Sequence, residues 1–359
     1  VTFAVAAAGT GGHVYPGLAV GEALVAAGVP PEEVLFVGGR RLESTVYPQA
    51  GFPFLEVEMR GLQRRLTVEN LSLPLVVARA VRRMAAEFSA RRVRVLLGMG
   101  GYVTVPAALA ARRVGAAVAV SEQNAEAGLA NRIAGRLARR RFGAFSTTAG
   151  LAGAEWVGNP VRAQIARFDR SALRPEAIVR YGLDPEAAVV GVFGGSLGAG
   201  ALNRAVADHL TRPLPTPHQV LHLAGRSHAD ALREHAVGAV VPWRVLDFEE
   251  RMDLFYAACD LVVARAGGAV AELSVTALPA VLVPGTFGSG RHQAANAAAL
   301  EAAGSAVVVE EGALAGLGEV VAALLADGGR RAAMAAAARR LARPEAAAVI
   351  AAALGELHG

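Results

Sequence analysis

The chain reads as an α/β protein built from two doubly wound, parallel-sheet halves. Three observations carry that reading. Its 359 residues, 53% of them hydrophobic, exceed what one core usually serves. Short apolar runs compatible with β-strands alternate with helical stretches, the grammar of a parallel sheet. A strand, a glycine-rich turn and a helix follow one another twice, the second time about 185 residues after the first.

The first half opens with the apolar run Thr2 to Ala7, which ends in Gly9-Thr10-Gly11-Gly12-His13. Pro16 and a helical stretch, Gly17 to Ala27, follow. Further strands are expected at Val34 to Val37, Val93 to Leu97 and Ala116 to Val120, with a helix over Leu75 to Arg91. The second half restarts with Ala188 to Phe193 and the turn Gly194-Gly195-Ser196-Leu197-Gly198-Ala199-Gly200, leading into a helix from about Ala201. Strands are then expected at Gln219 to Leu223, Leu261 to Ala264, Ala280 to Val283 and Ala306 to Val309. The turn-forming Gly158-Asn159-Pro160 marks the boundary, giving domains 1–158 and 159–343. Pro344 divides the alanine-rich tail, leaving Glu345 to Leu357 as a separate final helix.

Composition narrows the function classes. The single cysteine, Cys259, excludes a disulfide framework and a cysteine-rich metal site, and its apolar surroundings read as those of an inert thiol. No apolar run reaches the roughly 18 residues of a membrane span, and no signal segment is seen, so a soluble cytoplasmic protein is expected. All 36 basic residues are arginine and the net charge is +5. Residues 1–158 hold 18 Arg against 11 Glu, a balance of +7, whereas the remainder stands at −2. Base composition or growth temperature can account for the missing lysines but not for this asymmetry. A basic half points to nucleic acid, a phosphorylated substrate or an anionic lipid surface.

Glycine turns between strand and helix let backbone N–H groups approach a phosphate, aided by the helix dipole. Neither turn ends as a P-loop does. His13, where a helix should begin, either caps it or acts as a base near neutral pH. Ser196 either caps the next helix, contacts phosphate, or does both. Gly100-Gly101-Tyr102 lines a third strand end. Glu122 and Asn124 follow the strand ending at Val120, as hydroxyl-binding groups or as an ordinary loop. Glu272, a helix position after Arg265-Ala266-Gly267-Gly268, is either a ribose ligand or a solvated glutamate. Gln293 and Asn296 share a helical face, which suits sugar hydroxyls or merely water. No metalloprotease helix, nucleophile elbow or aspartate pair is present, so no metal and no cofactor are expected. Expulsion of a nucleotide diphosphate would rest on main-chain dipoles and arginine.

Seven segments in order resemble the MurG family of UDP-N-acetylglucosamine–N-acetylmuramyl-(pentapeptide) pyrophosphoryl-undecaprenol N-acetylglucosaminyltransferases. They are Gly9 to Ala19, Gly98 to Val103, Glu122-Gln123-Asn124, Gly158 to Arg162, Gly194 to Ala199, Arg265 to Glu272 and Gln293 to Ala297. The resemblance implies a GT-B fold, two Rossmann-like domains facing across a deep cleft, with the final helix (345–359) returning to the first domain. It implies inverting transfer of N-acetylglucosamine from its UDP donor to the C4 hydroxyl of the muramoyl sugar of lipid I, giving lipid II for peptidoglycan. Ser196 would hold the donor diphosphate; Arg162 and the backbone at Phe248 and Glu249 would border uracil; Glu272 would take the ribose hydroxyls. Asn124 and Gln293 would contact the sugar, with Asn296 in support, and Thr10 and Arg265 also fall on the donor side. His13 is the base candidate. Gly11, Gly12, Gly100, Gly101 and Tyr102 would shape the acceptor diphosphate pocket, with Gly11 and Gly12 also near the donor and Glu122 on the acceptor side. Leu197 stands where glutamine is frequent in the family, and the Arg265 to Glu272 segment is one residue short.

A lipid acceptor implies peripheral docking at the cytoplasmic face of the membrane. Leu71 to Val77, followed by Arg79, Arg82 and Arg83, fits an anionic interface, although a core-packed helix with a solvated arginine face has the same pattern. Two other readings stand beside this one. Another UDP-sugar enzyme of the same fold, a transferase or a UDP-N-acetylglucosamine 2-epimerase, shares the turns. A non-catalytic nucleic-acid-binding protein would explain the basic charge, but no helix-turn-helix or zinc-finger signature is found, and no nucleic acid partner is expected.

Overall fold

The computed structural model describes residues 2–59, 73–195, 198–286 and 290–358. The chain divides into two compact units, Val1–Ala163 with Arg343–Gly359, and Gln164–Ala342.

The first unit holds β1 (Thr2–Ala6), α1 (Gly11–Ala26), β2 (Val34–Gly38), α2 (Glu43–Gln49), β3 (Phe54–Glu56) and α3 (Leu73–Ala90). β4 (Val93–Gly98), α4 (Thr104–Arg113), β5 (Ala117–Glu122), α5 (Leu129–Ala134), β6 (Arg140–Gly143) and β7 (Glu155–Trp156) complete its sheet. All pairings are parallel, in the order β3-β2-β1-β4-β5-β6-β7. β1 and β2 are buried along their whole length, the unbroken apolar pattern of a sheet covered on both faces.

The second unit follows the short α6 (Ala163–Ala166) with α7 (Arg170–Tyr181), β8 (Ala188–Phe193), α8 (Gly200–His209), β9 (His218–Leu223), α9 (Ala229–Ala236) and β10 (Trp243–Leu246). α10 (Met252–Ala258), β11 (Leu261–Ala264), α11 (Ala269–Val275), β12 (Ala280–Leu282), α12 (Gly290–Ala302) and β13 (Ala306–Val308) continue it. α13 (Leu317–Ala326) and α14 (Gly328–Leu341) close it, and α15 (Ala346–His358) belongs to the first unit. Its sheet is again parallel, in the order β10-β9-β8-β11-β12-β13.

In both sheets the winding direction reverses between the first strand of the unit and the fourth. Ligands of open α/β sheets bind beyond the strand ends at such a point. The four glycine turns of the sequence leave β1, β4, β8 and β11, so all of them flank the two reversals.

Two local features depart from expectation. α1 begins at Gly11, not Gly17, because the Thr10 carbonyl already accepts from the backbone N–H of His13 at 3.0 Å and of Val14 at 3.1 Å. Glycine and Pro16 mask this start, although proline in an early turn forfeits little hydrogen bonding. β3, β6, β7 and β10 were not foreseen; they are short, and β7 is exposed at both of its residues. α15 packs against α1, burying Ile350 and Leu354 in the core that also holds Leu18, Val20 and Leu24. Each such side chain contributes about 1.5–3 kcal/mol.

Candidate active site

The site of the first unit is assembled from backbone turns that only glycine permits. Thr10 caps α1 with an extended backbone, and its hydroxyl lies 3.3 Å from His13 Nδ1. The other edge of the His13 ring rests on Gly100, whose φ is +98°; a Cβ there would lie 2.9 Å from Nε2. Gly101, with φ +79°, presses on the Ala8 carbonyl so closely that a Cβ would collide with it. The turns after β1 and β4 therefore meet with His13 seated between them. Gly11 and Gly12 form the first turn of α1, where N–H groups and the helix dipole favour an anion.

Tyr102 lays its hydroxyl against Gly39, where no Cβ would fit. Burial pushes the phenol upward, and the neighbouring Glu43 carboxylate adds to the shift. Glu43 is wholly buried at the start of α2 and accepts from Gly39 N at 3.0 Å and Gly9 N at 3.4 Å. It ties the turn after β2 to the turn after β1, and sequence reasoning missed it. The available signal was an acidic residue opening a helix shortly after Gly38-Gly39.

Glu122, at the end of β5, is 2% exposed. Oε1 accepts from Asn124 N at 3.0 Å and Asn124 Nδ2 at 2.8 Å. Oε2 accepts from Gly128 N at 3.0 Å and Asn131 Nδ2 at 2.9 Å. Its carboxylate thus holds the segment that carries Asn124 and faces inward rather than toward an acceptor. Asn131, also unforeseen, is buried, and its Nδ2 lies 3.4 Å from where a Cβ on Gly100 would stand. Arg162, expected with the uracil, belongs to the first unit, its guanidinium 5.4 Å from the Tyr15 ring centroid.

In the second unit the glycine turn after β8 has left-handed backbone at Gly195 (φ +92°) and Gly198 (φ +77°). Ser196 and Leu197 lie outside the described residues. Gly198 packs on the Ala224 carbonyl, which also accepts from Asn203 Nδ2 at 3.0 Å. Asn203 Oδ1 in turn lies 3.1 Å from His222 Nε2, and burial lowers the His222 pKa to about 3, keeping the ring neutral. These three residues form the floor of the turn.

Beyond β11, Glu272 sits in the first turn of α11, and its Oε2 accepts from the Tyr256 hydroxyl at 2.6 Å. Tyr256 was not foreseen. Arg265 donates to the Val283 carbonyl at 3.1 Å and pairs with Glu311 at 2.6 Å. Gln293 Oε1 accepts from Gly285 N at 2.9 Å. Asn296, expected among the donor contacts, is fully buried and donates to the Ala266 carbonyl at 3.0 Å, so it supports the turn from beneath. Arg265, Glu272, Gln293 and Asn296 are thus gathered at the strand ends of one sheet. Glu249 is the exception: its carboxylate turns inward, 8% exposed, and accepts from the Tyr181 hydroxyl at 2.8 Å. The donor-side expectation at this position concerns its backbone, not this carboxylate.

Comparison with known proteins agrees with this geometry. Residues 3–142 match the glycosyltransferase family 28 N-terminal domain, and residues 189–350 match the family 28 C-terminal domain. A UDP-N-acetylglucosamine–N-acetylmuramyl-(pentapeptide) pyrophosphoryl-undecaprenol N-acetylglucosamine transferase of Halorhodospira halophila is 43% identical over 308 residues, 85% of this chain and 83% of the relative. The protein of the same description from Mycobacterium leprae is 41% identical over 313 residues, 85% of this chain and 76% of its own. Among solved structures, MurG of Acinetobacter baumannii superposes with a TM-score of 0.79 at 26% identity, covering 99% of both chains. A UDP-GlcNAc 2-epimerase from Neisseria meningitidis reaches 0.68 at 11% identity, covering 99% of this chain and 100% of its own, and shares the fold alone. Two parallel-sheet Rossmann-like units, glycine turns at both winding reversals and sequence identity through both halves converge on one assignment: the chain belongs to glycosyltransferase family 28, in the MurG family of N-acetylglucosamine transferases.

Proposed function

We infer that the protein transfers N-acetylglucosamine from UDP-N-acetylglucosamine to the C4 hydroxyl of the muramoyl sugar of lipid I, forming lipid II. The observation that carries this reading is 41–43% identity, across both halves, to relatives described by that activity. The second unit takes the donor. The turn after β8 and the N-terminus of α8 face the diphosphate, Glu272 takes the ribose hydroxyls, and the backbone at Phe248 and Glu249 borders the uracil. Gln293 and Asn124 contact the sugar. In the first unit, the glycine turns after β1 and β4 take the acceptor diphosphate.

The chemistry is a single displacement with inversion. The acceptor hydroxyl oxygen attacks the anomeric carbon as the bond from that carbon to the β-phosphate oxygen breaks. His13 accepts the hydroxyl proton, and UDP departs with its new negative charge on oriented N–H groups. Tyr256 holds one oxygen of Glu272, so the carboxylate reaches the ribose in a fixed orientation.

The first unit also docks on the membrane surface. Among the described residues no single helix is long and apolar enough to cross a bilayer. α3 packs on α4 and α4 on α5. These helices expose Leu75 (66%), Leu109 (41%) and Leu129 (64%) beside exposed Arg79, Arg82 and Arg113. Apolar side chains among cations fit the headgroups of anionic lipid. Leu71 and Ser72, part of the segment expected to dock, lie outside the described residues.

Release of UDP measured with and without a lipid I analogue tests the reading. Release is expected only with the acceptor; folded protein that releases none with both substrates present refutes it.

A further inference from the structure

The turn between β10 and α10, Asp247 to Arg251, is anchored to the end of α7. Glu249, within it, places its carboxylate among four donors from three residues. Tyr181 Oη donates to Oε2 at 2.8 Å, and Arg251 N donates to Oε1 at 2.8 Å. Arg180 Nη2 lies 3.1 Å from Oε1 and Nε 3.3 Å from Oε2. Burial alone would raise the Glu249 pKa, but the Arg251 N–H, the Tyr181 hydroxyl and the Arg180 charge outweigh it and hold the group below its usual range. The network therefore binds a carboxylate, not a carboxylic acid, at neutral pH.

Arg180 and Tyr181 close α7, which Gly182 ends with a left-handed backbone at φ +60°. The Gly182 carbonyl also accepts from Arg244 of β10 at 3.3 Å. One helix end thus grips both an edge strand of the sheet and the turn that leaves it. At the preceding residue, the Arg226 guanidinium stands 5.4 Å from the Phe248 ring centroid. The turn is thereby held at two successive residues, Phe248 by Arg226 and Glu249 by the end of α7.

We propose that Tyr181 and Glu249 are positioning residues for the nucleotide base: the Tyr181 hydroxyl and the Glu249 carboxylate fix the backbone of the 247–251 turn without themselves touching the donor. The proposal rests on the reading above that this backbone borders uracil. It follows that the buried hydroxyl and carboxylate control base affinity and base choice, while the diphosphate, the sugar and the acceptor are handled by other residues. Tyr181→Phe deletes one hydroxyl and keeps the ring in its packing. Glu249→Gln keeps an acceptor oxygen and the side-chain shape, and Glu249→Ala removes the anchor.

The test is kinetic and binding analysis of the full chain with these three variants. Tyr181→Phe should raise the Kd for UDP and the KM for UDP-N-acetylglucosamine about tenfold, in keeping with the loss of one hydrogen bond to a charged group. kcat and the KM for a lipid I analogue should stay within about twofold. Glu249→Ala should exceed that effect and Glu249→Gln should restore part of it. Discrimination between UDP and CDP should narrow in the same order, while inhibition by inorganic pyrophosphate stays unchanged. A drop in Tm with UDP affinity unchanged in the folded protein overturns the proposal, as does an equal loss toward UDP and pyrophosphate. If the unaltered protein binds no UDP, the reading of the site fails and the proposal fails with it.

Discussion

Replacing Glu122 by glutamine should loosen the turn after β5 by an amount that its hydrogen bonds define. Each carboxylate oxygen accepts twice: Oε1 from Asn124 N and Nδ2 at 3.0 and 2.8 Å, Oε2 from Gly128 N and Asn131 Nδ2 at 3.0 and 2.9 Å. An amide must set its NH2 where one oxygen was, so two donors then face a donor. Asn131 Nδ2 keeps the Ser121 carbonyl at 2.9 Å, so the cheaper orientation leaves Gly128 N as the main orphan. An unmet N–H costs about 1–3 kcal/mol when fully buried and less at half-buried Gly128, and the remaining bonds lose their charge assistance. Glu122→Gln should therefore cost about 1–3 kcal/mol, which a domain of ordinary stability, about 5–15 kcal/mol, survives. Urea unfolding followed by fluorescence and circular dichroism would read this loss as a lower midpoint with little change in slope. Turnover should fall more modestly, because the retained oxygen still accepts from Asn124 N and Nδ2 and those two bonds lose only their charge assistance. A loss below about 0.5 kcal/mol together with undiminished turnover would refute the assignment of Glu122 as the hub of this turn.

Three further outcomes are expected. His13→Ala should lower turnover about a hundredfold or more while UDP binding persists; near-normal turnover in a coupled UDP-release assay removes His13 as the base. The His222 pKa is lowered by burial from 6.5 to about 3, so between those values the unfolded chain binds the extra proton. Stability should then fall as pH drops below 6.5, by at most about 1.4 kcal/mol per pH unit from this residue. His222→Gln should flatten that acid limb in urea titrations, and an unaltered slope would show that the group titrates freely. Ile350→Ala should cost about 2–5 kcal/mol in thermal or urea unfolding, because Ile350 of α15 is 0% exposed against the core of the first unit.

The sheets were legible where the strands are buried on both faces. Ala188 to Phe193 and Leu261 to Ala264 were read with the bounds the structure gives, because continuous apolar runs between glycine turns leave few alternatives. β7 was not legible, since two exposed residues carry no pattern. The start of α1 was misplaced because Gly11, Gly12 and Pro16 have low helix propensity, whereas the Thr10 carbonyl decides the matter locally. At the candidate site, sequence located the residues at strand ends but not the direction of their side chains. The carboxylates of Glu122 and Glu249 face inward, onto the turns that carry them. Glu43 and Tyr256 went unseen because each acts through a residue distant in the chain, Gly9 in one case and Glu272 in the other.

These side chains share a physical logic. A turn that binds phosphate through backbone N–H groups must hold them in place before the ligand arrives, since dipoles that must first reorient stabilise a developing charge poorly. Glycine supplies the close approach, as Gly100 and Gly198 do with their left-handed backbones, but glycine is also the residue that least resists rearrangement. Glu43 and Glu122 correct that weakness, and Glu249 braces a turn, 247–251, that holds no glycine. Each lies at or just beyond the end of a strand, each is at most 8% exposed, and each accepts backbone N–H groups from a turn. Burying a carboxylate costs several kcal/mol unless its acceptor sites are filled, so the conformation that fills them is strongly preferred over its neighbours. In both units a buried carboxylate thus holds a turn beyond a strand end in one conformation, with glycine in the turns of the first unit and without it at Glu249.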